Sequence, residues 1–254
     1  MSVAGVPDLT IVVPAYNEAG RIGARLREID ACVAHDGRRA DVIVVDDGST
    51  DDTVALVDRV ARELAVPVAV IASRPNRGKG HAVRTGVLAA RGRYVLVTDA
   101  DLSTPMSELG KLMPVADAGV PVVIGSRRLP GAQLEVRQPW LREAMGEVFR
   151  AITRRLVVQV SDVTCGFKLF ARDAAHALFA RVTLEDWSYD AEVLFLARRR
   201  GLEIREVPVV WRDAAGTKVR RGSAAVAALV GLLTIRLNAL RGRYDGPAPP
   251  VSDG

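Results

Sequence analysis

Cysteine, histidine and lysine are scarce in this chain, and long apolar runs are missing. The two cysteines, Cys32 and Cys165, lie far apart and form no metal-ligand spacing. They read as free thiols of a reducing cytoplasm. His35, His81 and His176 have no nucleophile near them in sequence, which argues against a hydrolase triad. No stretch reaches the roughly 20 apolar residues that span a bilayer, and the opening "MSVAGVPD" lacks the basic start of a signal peptide. No internal repeat is visible. Of the 35 basic residues only Lys79, Lys111, Lys168 and Lys218 are lysines, and all but Lys111 fall in polar loops. The net charge of +5 suits an anionic substrate or a membrane surface without choosing between them. No nucleic-acid partner is expected. With 254 residues, 49% of them hydrophobic, the chain is long enough for one large domain, or one domain with a small addition.

What is present is alternation. Near-continuous β-branched runs at 9–13, 41–46, 66–72, 93–98 and 120–124 read as strands buried on both faces. Segments with helical spacing separate them at 21–35, 51–64, 80–90 and 107–116. This order predicts a mostly parallel sheet with helices on both sides, and ligands then bind beyond the carboxyl ends of the strands. The polar loops fall there: "PAYNEAG", "DDGSTDD", "SRPNRGKG", "DADLSTP" and "GSRR". The second half is less regular. It predicts a basic helical stretch over 139–160, a polar turn and short strand in "SDVTCGFKLF", a helix over 188–200, a strand over 203–211 and a last helix over 223–241. Residues 245–254 read as a disordered tail.

Each loop has a chemical and a structural reading. Asp99 and Asp101 follow an apolar strand, and residues i and i+2 of an extended backbone point to one side. Two hard carboxylates so placed suit Mg²⁺ or Mn²⁺, with a diphosphate completing the coordination. The structural alternative is capping of the next helix, which Ser103 or Thr104 would do as well. In "VIVVDDGSTDDT", Ser49 with Asp52 forms a capping box, leaving Asp47 free to accept hydrogen bonds from a base or ribose. Gly78-Lys79-Gly80 opens a helix and favours an anion, although it is not a Walker loop. Pro14, Tyr16 and Glu18 are placed to frame a nucleobase, or else merely to start a helix. For a hydroxyl acceptor Asp190 is the first candidate base and Asp186 the second, while Trp187 and Tyr189 read as packing. The apolar run 224–235, flanked by Arg220, Arg221, Arg236, Arg241 and Arg243, is too short to cross a bilayer. It reads either as an interfacial helix or as a helix packed on its own domain.

Taken as an ordered series, "VVPAYNE", "VVDDGSTD", "NRGKGHAVRTG" and "DADLSTP" resemble the family-2 nucleotide-sugar glycosyltransferases of GT-A fold. "GSRR", "SDVTCGFKLF", "EDWSYDAEVLFLA", "VPVVWRDAAGTK" and "LLTIRLNALRGRY" narrow the likeness to dolichyl-phosphate β-glucosyltransferases and their polyprenyl-phosphate relatives. The likeness covers about residues 8–244. It implies an inverting transfer of a sugar, glucose first among them, from a nucleoside diphosphate to a polyprenyl phosphate, on the cytoplasmic face of a membrane that the protein touches peripherally. It divides the chain into a donor half (8–125), an acceptor half (126–221) and a C-terminal amphipathic helix (222–244). Position by position, Pro14, Tyr16, Glu18 and Asp47 resemble a nucleoside pocket with Lys79 near the donor, and Asp99 and Asp101 the metal motif. Arg127, Arg137 and Arg142 resemble the set that receives the acceptor phosphate, with Lys168 and Lys218 added to either phosphate. Ser103 stands where the phosphomannose-synthase branch often has Gln. A transferase with a soluble hydroxyl acceptor, a sugar nucleotidyltransferase and a receiver-like signalling protein are the rival readings.

Overall fold

The computed structural model describes residues 5–134, 152–155, 157–212 and 221–246. Strands β1 (Leu9–Ala15), β2 (Ala40–Asp46), β4 (Tyr94–Val97) and β5 (Val122–Ser126) are buried almost throughout. Their side chains alternate between two cores, as strand geometry requires. Ile11, Val13, Val42, Val44 and Leu96 face one, with α1 (Ile22–Asp36), α2 (Thr53–Ala61) and α4 (Leu109–Asp117). Val12, Ile43, Val45, Val95 and Val97 face the other, with α3 (Lys79–Ala89). β3 (Val68–Ala72) is half-exposed because it forms an edge.

With β7 (Lys168–Ala171) and β8 (Ile204–Pro208) from the second half, the sheet has seven strands in the order β3-β2-β1-β4-β7-β5-β8. The strands paired around β1 run parallel, and the chain reverses its direction of winding there, since β2 lies on one side of β1 and β4 on the other. Such a switch point opens a crevice at the carboxyl ends of the strands. The mostly parallel sheet agrees with the sequence. The place of β7 (Lys168–Ala171) was not legible there: it inserts antiparallel between β4 and β5, pairing Lys168 with Val97 on one side and Ile124 on the other. Strands from both halves of the chain therefore share one sheet.

Other elements differ from the sequence reading. Helix α5 (Arg172–Phe179) was not anticipated. The expected helix over 107–116 begins as a 3-10 turn, Met106–Glu108. The strand expected over 203–211 divides into β8 (Ile204–Pro208), in the main sheet, and β9 (Val210–Trp211), which pairs with β6 (Gln133–Leu134). Helix α6 (Tyr189–Arg199) is buried nearly all round, and α7 (Arg221–Leu240) packs Leu232 and Ile235 into the same core. The stretch 139–160 lies largely outside the described residues, as does 247–254.

Helix α3 lies close on the sheet because Gly86 has no side chain: a Cβ there would sit 2.5 Å from Val12 Cγ1 and 2.9 Å from Val45 Cγ2. Gly110 in α4 faces open space. Gly86→Val is expected to destabilise by about 1–3 kcal/mol through overpacking. Gly110→Ala should instead stabilise by about 0.5–1 kcal/mol. Urea unfolding midpoints of the two variants check both signs.

Candidate active site

The loops that leave β1 to β5 enclose one cleft of about 460 Å³ at the carboxyl edge of the sheet, a size suited to a small ligand. Its wall includes Pro14, Tyr16, Glu18, Asp47, Lys79, Asp99, Asp101 and Arg127. The first two loops are sewn together. The Asn17 amide donates to Ser49 Oγ at 2.8 Å, the Glu18 amide to Thr53 Oγ1 at 2.8 Å, and the Thr50 amide to Asn17 Oδ1 at 2.8 Å. Ser49 thus does not cap α2 as the capping box predicted; α2 begins with Asp52 at its N-cap and no side-chain cap bond. Its hydroxyl serves the neighbouring loop instead. Asp47 likewise fastens a loop, since its carboxylate accepts the Arg77 amide at 3.0 Å and the Gly78 amide at 2.7 Å. Gly78 has φ +112°, a conformation open to glycine. The Asp47 carboxylate reaches the cleft already holding the loop that delivers Lys79.

Asp99 and Asp101 do not sit on an extended strand. β4 ends at Val97, and the acids lie on a tight turn, with the Leu102 amide donating to Asp99 O at 3.0 Å. Leu102 has φ 47°, an uncommon conformation for a branched side chain. The Ser103 amide donates to Asp101 Oδ1 at 2.9 Å. Lys79 Nζ reaches across the cleft floor to Asp99 Oδ1 at 2.5 Å. Its ammonium also lies 4.5 Å from the centre of the Trp187 ring. Burial pushes the Asp99 carboxyl up, but the charge and hydrogen bond of Lys79, with Lys168 and Arg127 behind, hold it below the ordinary carboxylate value. Burial pushes Lys79 down, and Asp99, Asp190 and Asp101 overcome it to hold the ammonium above the usual lysine value. The approach is close: a Cβ on Gly166 would collide with Asp99 Oδ2.

The side-chain oxygens of Asp99 and Asp101 are hard donors of the kind suited to a divalent cation. Among the described residues no cluster of three or more His, Cys, Asp or Glu that could hold a metal ion occurs; a cation on Asp99 and Asp101 would need further oxygens, of the kind that water or a phosphate supplies. The residues fit a metal that arrives with a diphosphate.

Arg127 forms the far wall. Its Nε donates to Asp162 Oδ2 at 2.7 Å and its Nη2 to Asp162 Oδ1 at 2.8 Å and Thr164 Oγ1 at 2.9 Å. The Trp211 ring centre lies 5.5 Å from its Cζ. Lys168 is corrected by the structure. Rather than facing a phosphate it is buried, with its ammonium on Asp190 and on Cys165 O at 2.5 Å. Asp190 is buried in the same pair, so this carboxylate is committed to Lys168 and is not poised as a base for an acceptor hydroxyl. Arg137, Arg142 and Lys218 lie outside the described residues. Asp186 accepts the Ser188 amide at 2.8 Å. Sequence reasoning missed Asp162, Gly166 and Trp211, and it took Trp187 for packing. Only the acidic residue in "SDVTCGFK" offered a signal.

The Arg127–Asp162 pair predicts a separable phenotype. Burial pushes the Asp162 carboxyl up, and Arg127 overcomes this and lowers it. The pair's contribution is present above the unfolded carboxylate pKa of about 4 and fades as pH falls through the lower folded value. Arg127→Ala strands a buried carboxylate and is expected to cost about 3–5 kcal/mol. Without its partner that carboxyl rises instead, so the variant should lose less stability than the parent between neutral and acid pH. Arg127→Gln with Asp162→Asn should recover most of the stability without recovering Arg127's place in the cleft. Thermal melts across pH measure all three.

Residues 10–179 match the family model for Glycosyl transferase family 2. The chain is similar to a dolichyl-phosphate beta-glucosyltransferase of Dictyostelium discoideum, 31% identical over 248 residues, covering 92% of this chain and 75% of the relative. A dolichyl-phosphate beta-glucosyltransferase of Trichomonas vaginalis is 36% identical over 263 residues, covering 96% and 76%. Among solved structures, glucosyl-3-phosphoglycerate synthase from Mycobacterium tuberculosis, in complex with Mn²⁺ and uridine-diphosphate-glucose, superposes with a TM-score of 0.65 at 20% identity. It covers 96% of this chain and 81% of that one, which establishes the GT-A fold. With its motifs on one cleft and the family model spanning most of its length, the chain belongs to glycosyltransferase family 2 and is an enzyme.

Proposed function

We propose that the enzyme transfers glucose from UDP-glucose to a polyprenyl phosphate of the dolichyl type at the cytoplasmic face of a membrane, with inversion at the anomeric carbon. The observation that carries this reading is the meeting, in one cleft, of the acid pair Asp99 and Asp101 with the cations Lys79 and Arg127. The relatives named as dolichyl-phosphate glucosyltransferases support the acceptor and sugar. The neighbour that binds UDP-glucose with Mn²⁺ supports the donor and the metal.

In this reading Pro14, Tyr16, Glu18 and Asp47 frame the nucleoside, with Arg21 fastened to Glu18 by a 2.8 Å bond. Asp99 and Asp101 would hold Mg²⁺ or Mn²⁺, which when bound would supply positive charge to the leaving diphosphate. Lys79 stands beside the same acids and adds a fixed ammonium. Arg127, oriented by Asp162 through Nε and Nη2, offers its remaining Nη1 to the acceptor phosphate, and shielded from solvent such a contact is strong. An oxygen of that phosphate attacks the anomeric carbon while the carbon–oxygen bond to the diphosphate breaks, and UDP departs with the bonding electrons. The attacking oxygen is already ionised at neutral pH. No general base is required, which agrees with the commitment of Asp190 to Lys168. Preorganised charge is then the main source of rate enhancement.

The test is incubation of the protein with UDP-[¹⁴C]glucose and membranes containing polyprenyl phosphate, followed by solvent extraction. Mild-acid-labile labelled lipid is expected, with UDP released. Chelation of divalent cations should abolish it, and Asp101→Ala should lower the rate by about 10²-fold or more. Label confined to water-soluble product would favour a transferase with a soluble acceptor, and release of pyrophosphate would favour a nucleotidyltransferase.

A further inference from the structure

Helix α7 carries two apolar faces. The inner one is accounted for: Leu232 and Ile235 enter the core, the Asn238 side chain donates to Thr183 Oγ1 at 3.0 Å, and Gly231 lies against Ser188. The outer one is Leu229, Val230, Leu233, Leu237 and Leu240, exposed by 39, 56, 56, 48 and 80%. At about 100° per residue these five fall within one arc of roughly 100°, opposite the buried set. A stripe of that width is what a helix ordinarily buries. No helix among the described residues is long and apolar enough to cross a membrane.

The charges around the stripe identify its occupant. Residues 214–244 contain Lys218, Arg220, Arg221, Arg236, Arg241 and Arg243 and no acidic residue. Arg236, Arg241 and Arg243 are exposed. Pairing two copies of this face about a two-fold axis would bring cations together with no carboxylate of the helix to offset them. An anionic lipid surface offers both an apolar interior and the opposite charge. Beside the helix stands Trp187, 59% exposed, one residue from the Ser188 that Gly231 touches, and it forms part of the cleft wall. A tryptophan with one wet edge suits the headgroup level.

We propose that the outer face of α7 is a membrane-docking surface for anionic lipid, lying in the interface with its arginines at the headgroups and Trp187 at the same edge of the cleft. Resting on the transferase reading, this sets the acceptor lipid's direction of entry: its phosphate approaches from the plane on which α7 lies, past Trp187. The docking itself rests only on the helix.

The experiment is co-sedimentation of the full chain with phosphatidylcholine vesicles, with and without phosphatidylglycerol, in the absence of polyprenyl phosphate and sugar nucleotide. Binding to the anionic vesicles is expected, weakening with added salt. Leu233→Asn with Leu237→Asn should reduce it at least about tenfold, with an unchanged circular-dichroism spectrum because both side chains are exposed. Arg236→Gln should reduce it about fivefold. Brominated lipid should quench tryptophan emission, and Trp187→Phe should remove most of that quenching. Sedimentation unaffected by the leucine substitutions, or no binding at all, overturns the proposal. So does a dimer by light scattering that the leucine substitutions convert to monomer without any vesicle binding in the parent. Because the vesicles hold neither substrate, failure of transfer and failure of docking are read separately.

Discussion

Lys79 and Asp99 meet at the floor of the cleft, one carried by the first turn of α3 and the other by the turn after β4. Burial disfavours both charges, and each stays ionised because the other is within hydrogen-bond distance. Around this pair the enzyme arranges two more: Lys168 with Asp190 beneath it and Arg127 with Asp162 at the far wall. Charges of alternating sign thus run through the site. Buried ion pairs contribute little net stability, so their retention at a cleft is better explained by fixed charge held ready for an anionic ligand.

Holding Lys79 requires holding the start of α3, and this falls to the segment before α6. The Gly80 amide donates to Glu185 O at 2.7 Å, and a Cβ on Gly80 would meet Leu184 O at 2.5 Å. That segment is secured in turn by Glu192, a fully buried acid. Its carboxylate accepts the Thr183 amide at 2.9 Å, the Thr183 hydroxyl at 2.6 Å, the Leu184 amide at 2.8 Å and the Tyr244 hydroxyl at 2.6 Å. Four donors satisfy the acid completely, as a buried carboxylate demands. Burial and the neighbouring Glu192 push the Tyr244 hydroxyl well up, so it remains a donor. The chain just after α7 and helix α3 at the cleft are thereby connected through one short segment, which also bears Trp187.

In the proposed transfer the acceptor phosphate would bring its own negative oxygen, so the demand on the protein would be for cations and orientation rather than for proton abstraction. The carboxylates present serve other ends: Asp47 and Asp51 fasten loops, Asp162 aims an arginine, and Asp190 balances a lysine. Asp99 and Asp101 are the acids left at the cleft floor, on the turn that Leu102 closes.

Strand identity and the position of the polar loops were legible in the sequence, because burial on two faces and the strand–helix alternation write themselves as local patterns; the turn that carries Asp99 and Asp101, in place of an extended strand end, was not. The ordered motifs also carried the family. The insertion of β7 was not legible, since a four-residue strand has no periodicity that names its neighbours or direction. Nor were the partners of the charges: Lys79 and Asp99 are 20 residues apart, Lys168 and Asp190 22, and Arg127 and Asp162 35. The family resemblance placed Lys168, and the motif "WSYDAE" placed Asp190, among the candidates for chemistry, and tertiary packing turned both inward. For α7 the sequence offered two readings, core helix or interfacial helix. The fold buries one face in the core and leaves the other exposed, because only the packing of its neighbours decides which side of an apolar helix is already covered.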